Sequence, residues 1–333
     1  MKVTIKDIAR YAGVSTATVS KVINKKDSNI SEDTRAKVLR VVKEYGYVPN
    51  RVASSMVTKK TKTLGLVIPN IANPFFPEVA RGAEDKANQE GYNLILCNTD
   101  DKVEKEDSYI SMLQEKMVDG IIFTASSGRL TISESLKKIN VPVITVDRDI
   151  EDLKTKGKIT VDNVSGAYAA VKYMLSRGYK RIIHICGPLT STPTKMRILG
   201  FEKAMIEAGY NKEDLLVIDG EYLSHSGEEA IMKVINSGYK FDGVFCGNDL
   251  IALGAIKALK RNNYIIPNDI GIVGYDDIYM SRMIDPELST VNQPTYDMGY
   301  KAAELLIKML SDEDVEDNEV ILGTKLIVRG TTR

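Results

Sequence analysis

The sequence predicts an α/β protein in two parts, a three-helix helix-turn-helix domain at the N-terminus and a two-lobed core of parallel sheets. Three observations predict it. Apolar residues in the first fifty positions recur at helical spacing around a glycine turn. From Leu64 onward, apolar strand-like runs alternate with helical stretches. The charge divides between the same two parts: residues 1–62 carry 14 Lys/Arg against 5 Asp/Glu, so a chain neutral overall has +9 at one end and −9 over the rest. With 333 residues, 43% of them apolar, there is material for a small module and one large two-lobed domain.

The first part reads as helices in order. Ile5, Ile8, Ala9 and Ala12 recur at i, i+3, i+4 and i+7, and Thr4 with Asp7 forms a helix start signal. Gly13 ends that helix, and Ser15 can cap a second from Thr16 to about Asn24, with Val19, Val22 and Ile23 inward. A third runs from Ser31 to Tyr45, with Val38, Val41, Val42 and Tyr45 inward, and stops at Gly46. Periodicity alone is equally met by a plain three-helix bundle. The excess of basic residues favours a polyanion partner, because phosphate neutralisation with counterion release supplies most of the affinity for DNA. The expected domain is residues 1–49. Residues 50–61 then read either as a polar linker or as about two turns of helix capped by Asn50, too short to persist alone in water.

In the second part, residues 62–333, the runs LGLVIP, NLILCN, DGIIFTA, VPVITVD, ITVD, RIIHICG, DGVFCGN and IGIVGYD alternate with helical stretches, the pattern of parallel sheets covered by helices. Ligands of such sheets bind at the carboxyl ends of strands. Asn73, Asp147, Arg148, Asn248 and Asp276 fall there. Singly, Asp147 or Asp276 would serve as a helix cap, Asn248 as a turn residue, Arg197 on a solvated helix face, and Phe75, Phe76 and Tyr222 as core. As a set they suit a sugar, whose hydroxyls both donate and accept and whose ring has a weakly apolar face.

Other chemistry finds little support. No catalytic site, metal site or cofactor is expected: there is no phosphate-loop motif, nucleophile elbow or metal-ligand spacing. Cys97, Cys186 and Cys246 lie singly in apolar runs and read as buried reduced thiols, and His184, within RIIHIC, reads as core. The opening residues lack the apolar stretch of an export signal and no segment approaches the ~20 apolar residues of a spanning helix, so a cytoplasmic protein without membrane contact is expected. An exported sugar-binding transport component would show the reverse.

The segment IKDIARYAGVSTATVSKVIN resembles, along nearly its whole length, the helix-turn-helix of the lactose/galactose repressor family. The resemblance implies a sequence-specific regulator, in which Thr16, Ala17 and Lys21 face base edges in the major groove, with Thr4, Ser15, Thr18, Ser20 and Asn24 near phosphates or neighbouring bases. It also implies that residues 50–61 form a hinge helix on DNA, with Asn50, Ala53 and Met56 as DNA-binding residues and Met56 as the minor-groove wedge. Lys21 stands where many relatives have Arg, Met56 where Leu is usual, and Ser54 where Arg is frequent.

Residues 62–333 resemble the periplasmic sugar-binding-protein fold that this family uses as its sensor. NPFF (Asn73 to Phe76), VDR (Val146 to Arg148), Arg197, GND (Gly247 to Asp249), GYDD (Gly274 to Asp277) and NQP (Asn292 to Pro294) are similar to motifs of ribose-binding proteins and ribose repressors. The ligand set this implies is Asn73, Phe75, Phe76, Asp147, Arg148, Arg197, Tyr222, Asn248, Asp276 and Gln293. The effector it implies is ribose or a similar pentose, and the function a repressor of a sugar-utilisation operon. A catabolite-control type of regulator with a phosphocarrier protein as corepressor is the alternative. The same likeness places the N-lobe at about 62–161 and 292–318 and the C-lobe at about 162–291 and 319–333, with the last crossing at about Glu316–Val320. The tail KLIVRGTTR lacks leucine heptads, so a homodimer reading a two-fold symmetric operator is expected.

Overall fold

The computed structural model describes residues 3–25, 27–48, 60–148, 150, 153, 155–311 and 318–333. It divides into two compact units that meet between Thr61 and Lys62. Asn50, Ala53 and Met56, with the expected hinge helix, lie outside the described residues.

In the first unit, helix α1 (Ile5–Ala12) starts at a capping box: the Thr4 side chain accepts from the Asp7 amide, and the Asp7 carboxylate accepts from the Thr4 amide and hydroxyl. Two orphan donors of the first turn are thereby satisfied. Gly13 ends the helix at φ 64°, a left-handed conformation open to glycine at little cost. Helix α2 (Thr16–Ile23) begins at Ser15, whose hydroxyl oxygen accepts from the Thr18 amide, and helix α3 (Glu32–Glu44) begins at Ser31 in the same way. Ile8, Ala9, Ala12, Val19, Val22, Val38 and Val41 form the core of this unit. Tyr45, expected inward, instead stacks on Tyr11 at the surface with ring centroids 4.5 Å apart.

The second unit holds two six-stranded sheets. One joins β1 (Thr63–Ile68), β2 (Asn93–Asn98), β3 (Gly120–Phe123), β4 (Val143–Val146) and β5 (Gly157–Val161) in the order β2-β1-β3-β4-β5, all parallel. The other joins β6 (Ile182–Ile185), β7 (Val217–Ile218), β8 (Gly243–Cys246), β9 (Gly271–Asp276) and β10 (Ser289–Asn292) in the order β7-β6-β8-β9-β10. Each central strand is buried on both faces, which is why the runs are continuously apolar with no alternation.

On one face of the first sheet, α4 (Phe75–Gln89) and α11 (Thr295–Leu310) pack with strand residues such as Leu66, Ile122 and Ile144. The other face carries α5 (Val103–Glu115) and the short α6 (Glu134–Lys137). The second sheet lies between α7 (Asn163–Ser176) with α8 (Thr192–Glu207) and α9 (Ser224–Asn236) with α10 (Asp249–Arg261). Close helix crossings use glycine. A Cβ on Gly82 would lie 2.0 Å from the Tyr296 carbonyl oxygen, and one on Gly299 would lie 1.9 Å from that of Val79, so α4 and α11 touch backbone to backbone.

The chain passes between lobes three times. It leaves β5 for α7 and returns from β10 to α11. The third passage falls later than the expected change at 318/319: β11 (Glu319–Leu322) pairs in parallel with β5 in the first sheet, and only β12 (Lys325–Ile327) joins the second, antiparallel to β10. The cause is register. The Asn318 carbonyl accepts the Lys158 amide and the Leu322 carbonyl accepts the Asp162 amide, so β11 is held along the whole length of β5 before the chain turns at Gly323.

Candidate functional site

The cleft between the two lobes of the second unit is lined by Asn73, Phe75, Phe76, Asp147, Arg148, Pro193, Arg197, Tyr222, Asn248, Asp276 and Gln293. All ten sequence-predicted residues thus meet around one space. Pro193 is the lining residue that sequence reasoning missed; its signal was a proline in the first turn of α8, where the absent amide costs no hydrogen bond.

From the first lobe, Asn73 precedes α4 and its side-chain oxygen accepts the Phe75 amide at 3.2 Å. Phe75 and Phe76 open α4, edge to face at 5.0 Å, buried and facing both core and cleft. Asp147 and Arg148 follow β4, Asp147 at a left-handed φ of 63° that points to an imposed turn. Arg148 Nη1 donates to Ser127 Oγ at 2.8 Å and to Asp101 Oδ1 at 3.2 Å. Its buried Nε has no hydrogen-bond partner and faces Asp147 Oδ2 at 3.6 Å.

From the second lobe, Arg197 is 4% exposed, not on a solvated helix face. It lies 3.8 Å over the Tyr275 ring, donating through Nε to Asn163 Oδ1 at 2.8 Å and through Nη1 to the Gly247 carbonyl. Burial works against its charge, but Tyr222, Tyr275, Asp276 and Asp147 outweigh that and leave its pKa raised. Asn248 caps α10 by accepting the Ile251 amide at 2.8 Å, so the cap reading and the cleft reading are both satisfied by one side chain. Tyr222 sits against Gly187, its hydroxyl 2.7 Å from Thr194 Oγ1. Asp276 ends β9 at φ 118°, accepts Gln293 Nε2 at 2.6 Å and stands 4.0 Å from Arg197 Nη1. Burial holds its carboxyl well above the ordinary range, against the pull of Arg197. Gln293 Oε1 is a second buried atom with no hydrogen-bond partner.

In the first unit, Thr16, Ala17, Lys21 and Asn24 are exposed, with Ser20 half-buried beside them, on the side of α2 away from Val19 and Val22. Asn24 Nδ2 donates to the Ser20 carbonyl at 2.9 Å, while Thr4 and Ser15 serve as the caps already described and Thr18 Oγ1 lies 2.9 Å from Ser15 Oγ.

The sequence profile of the bacterial regulatory proteins of the lacI family matches residues 4–50, and that of the periplasmic binding proteins and sugar binding domain of the LacI family matches residues 61–328. This chain belongs to the LacI family. It is similar over its full length, at 42% identity and with all of both chains covered, to the HTH-type transcriptional regulator RegA of Clostridium saccharobutylicum. Among solved structures, the lac repressor dimer bound to operator and the anti-inducer ONPF has a TM-score of 0.86 at 26% identity, covering 100% of this chain and 99% of that one. A LacI family transcriptional regulator from Enterococcus faecium, with bound ribose, has a TM-score of 0.73 at 30% identity, covering 81% of this chain and 98% of that one. The protein is a LacI-family DNA-binding transcriptional regulator.

Behind the cleft of this LacI-family core, Asp249 opens α10 and is fully buried. Its carboxylate accepts from Thr290 Oγ1 at 2.5 Å, Ser281 Oγ at 2.6 Å and the Ile278 amide at 2.9 Å. Burial nonetheless pushes its pKa up to about 6. A carboxyl whose folded value is raised stabilises the fold fully below its unfolded pKa of about 3.9, and that contribution is lost as pH rises through the folded value. Asp249→Asn is therefore expected to remove part of the decline in stability between about pH 4 and pH 7, read as urea midpoints at each pH. An unchanged profile would mean that Asp249 does not titrate in this range. Among the described residues, no helix is long and apolar enough to cross a membrane.

Proposed function

We propose that this regulator binds ribose or a similar pentose between its lobes, and that the sugar controls the hold of a cytoplasmic homodimer on a two-fold symmetric operator. The observation that carries the reading is the pair of buried atoms without hydrogen-bond partners in the cleft lining, Arg148 Nε, which has only the Asp147 carboxylate at 3.6 Å, and Gln293 Oε1. One must donate and the other must accept. An unmade buried hydrogen bond costs about 1–3 kcal/mol, so a ligand offering hydroxyls, which do both, is favoured over a purely acidic or purely basic one. Buried carboxylate, guanidinium, amides and aromatic rings complete a surface that suits a sugar. The ribose-bound relative from Enterococcus faecium supports the same class of ligand.

DNA reading falls to the exposed face of α2, with Thr16, Ala17 and Lys21 toward base edges and Ser15, Thr18, Ser20 and Asn24 toward the backbone, Thr4 beside them. The operator-bound lac repressor dimer supports this assignment and the two-fold arrangement. Asn50, Ala53 and Met56 are proposed as the minor-groove contacts.

The test is a thermal-shift panel of pentoses and hexoses, followed by mobility shift with and without the best ligand. A ligand at one hundred times its Kd raises stability by about 2.7 kcal/mol. Ribose or a near relative should give the largest shift and alter operator retention. No shift with any pentose would sink the effector assignment, and a shift without any change in retention would sink the coupling.

A further inference from the structure

Among the described residues, a hydrogen bond crosses the mouth of the cleft. The Thr190 hydroxyl, in the loop between β6 and α8, donates to the Ser127 carbonyl in the loop after β3, at 2.6 Å. Thr190 does not line the cleft, yet Ser127 is joined directly to a residue that does. The Ser127 amide donates to Asp101 Oδ1 at 2.8 Å, its Oγ accepts from Arg148 Nη1 at 2.8 Å, and Arg148 Nη1 returns to the same Asp101 oxygen at 3.2 Å. These contacts close a ring of three residues. Asp101 takes a left-handed φ of 56°, and the adjoining loop is pinned by the buried Arg129–Glu106 ion pair, with Glu106 also accepting the Ser126 amide at 2.7 Å. Arg148 then lies between the Phe76 ring of its own lobe, at 5.8 Å, and the Tyr222 ring of the opposite lobe, at 5.2 Å.

We propose that Asp101, Ser127 and Thr190 are positioning residues that tie the placement of Arg148 in the cleft to closure of the lobes. A hydroxyl-to-carbonyl bond across the mouth forms only when the lobes are apposed, so it adds to the closed population and to nothing else. Apparent affinity scales with the fraction of molecules in the binding-competent state. Because Thr190 stands outside the lining, its loss lowers affinity by one common factor for every sugar and leaves their rank order unchanged. Ser127 transmits the effect, since the same residue holds the crossing bond and the guanidinium.

The ligand half of this inference rests on the sugar-binding reading, so the test has a half that does not. Spin labels on one introduced surface cysteine in each lobe of the full-length chain report the interlobe distance, the native Cys97, Cys186 and Cys246 being buried. Thr190→Val should shift the distribution toward longer separations without sugar, and Thr190→Ser should restore it. Calorimetric titration with ribose should show affinity about two- to tenfold weaker for Thr190→Val, again restored by Thr190→Ser. Distances in Thr190→Val matching the unsubstituted chain would overturn the proposal, as would a Thr190→Ser variant that behaves like Thr190→Val. If the unsubstituted chain binds no ribose, the sugar reading falls and the distance measurement alone decides the role of Thr190.

Discussion

Asp276→Ala is expected to weaken pentose binding by at least an order of magnitude while leaving operator affinity in the absence of sugar unchanged. Asp276 is 6% exposed, accepts Gln293 Nε2 at 2.6 Å and stands 4.0 Å from Arg197 Nη1. Removing the carboxylate takes from the buried Arg197 its counter-charge at 4.0 Å, with Asp147 the acid that remains, and leaves the buried Gln293 amide without its acceptor. In the sugar complex the hydroxyls that donate to Asp276 lose a buried charged acceptor; truncating one side of such a contact costs about 2–5 kcal/mol of binding, and each 1.4 kcal/mol is about tenfold in affinity. Titration calorimetry with ribose, beside mobility shift without it, separates the two readouts. An alanine variant within tenfold of the unsubstituted chain would remove Asp276 from the site.

The three helices of the first unit were legible because their signals are local: a capping box at Thr4 and Asp7, glycine in a left-handed turn at Gly13, hydroxyl caps at Ser15 and Ser31. Tyr45 departed from its periodic position because a small unit has little interior, and stacking on Tyr11 covers both rings at the surface. In the second unit the strand runs were equally clear, but the last crossing was not. Its position depends on β11 pairing with β5 from Glu319↔Lys158 to Leu322↔Val161, a register between segments some 160 residues apart that no local pattern encodes.

The ten cleft residues were legible through motif likeness, and physical reasoning alone left each one ambiguous. Asn248 shows why: it caps α10 and lines the cleft, so the competing readings were never exclusive. Thr190 and Ser127 carried no signal at all. Two hydroxyl residues 63 positions apart acquire meaning only when the lobes bring them to 2.6 Å.

Lys21→Ala should weaken binding to an operator recovered by selection from random duplexes by about 5- to 150-fold, the value of about 1–3 kcal/mol for one specific contact. Lys21 is exposed on α2, one helical turn after Ala17 and opposite the buried Val19 and Val22, where only a partner outside this unit can meet it. Salt dependence identifies that partner. If Lys21 neutralises a phosphate, the variant loses about one counterion from the slope of log affinity against log salt; if it meets a base edge, the slope holds and discrimination at one base pair relaxes. Lys21→Arg sharpens the distinction, because a guanidinium forks onto guanine through two parallel bonds whereas an ammonium is a point charge. Arginine should therefore tighten binding selectively to operators with guanine at that position, and to phosphate only slightly. Ribose affinity should be the same in all three chains, since the cleft lies wholly within residues 62–333. Operator binding by Lys21→Ala that matches the unsubstituted chain at every salt concentration would show that this face of α2 is not the reader.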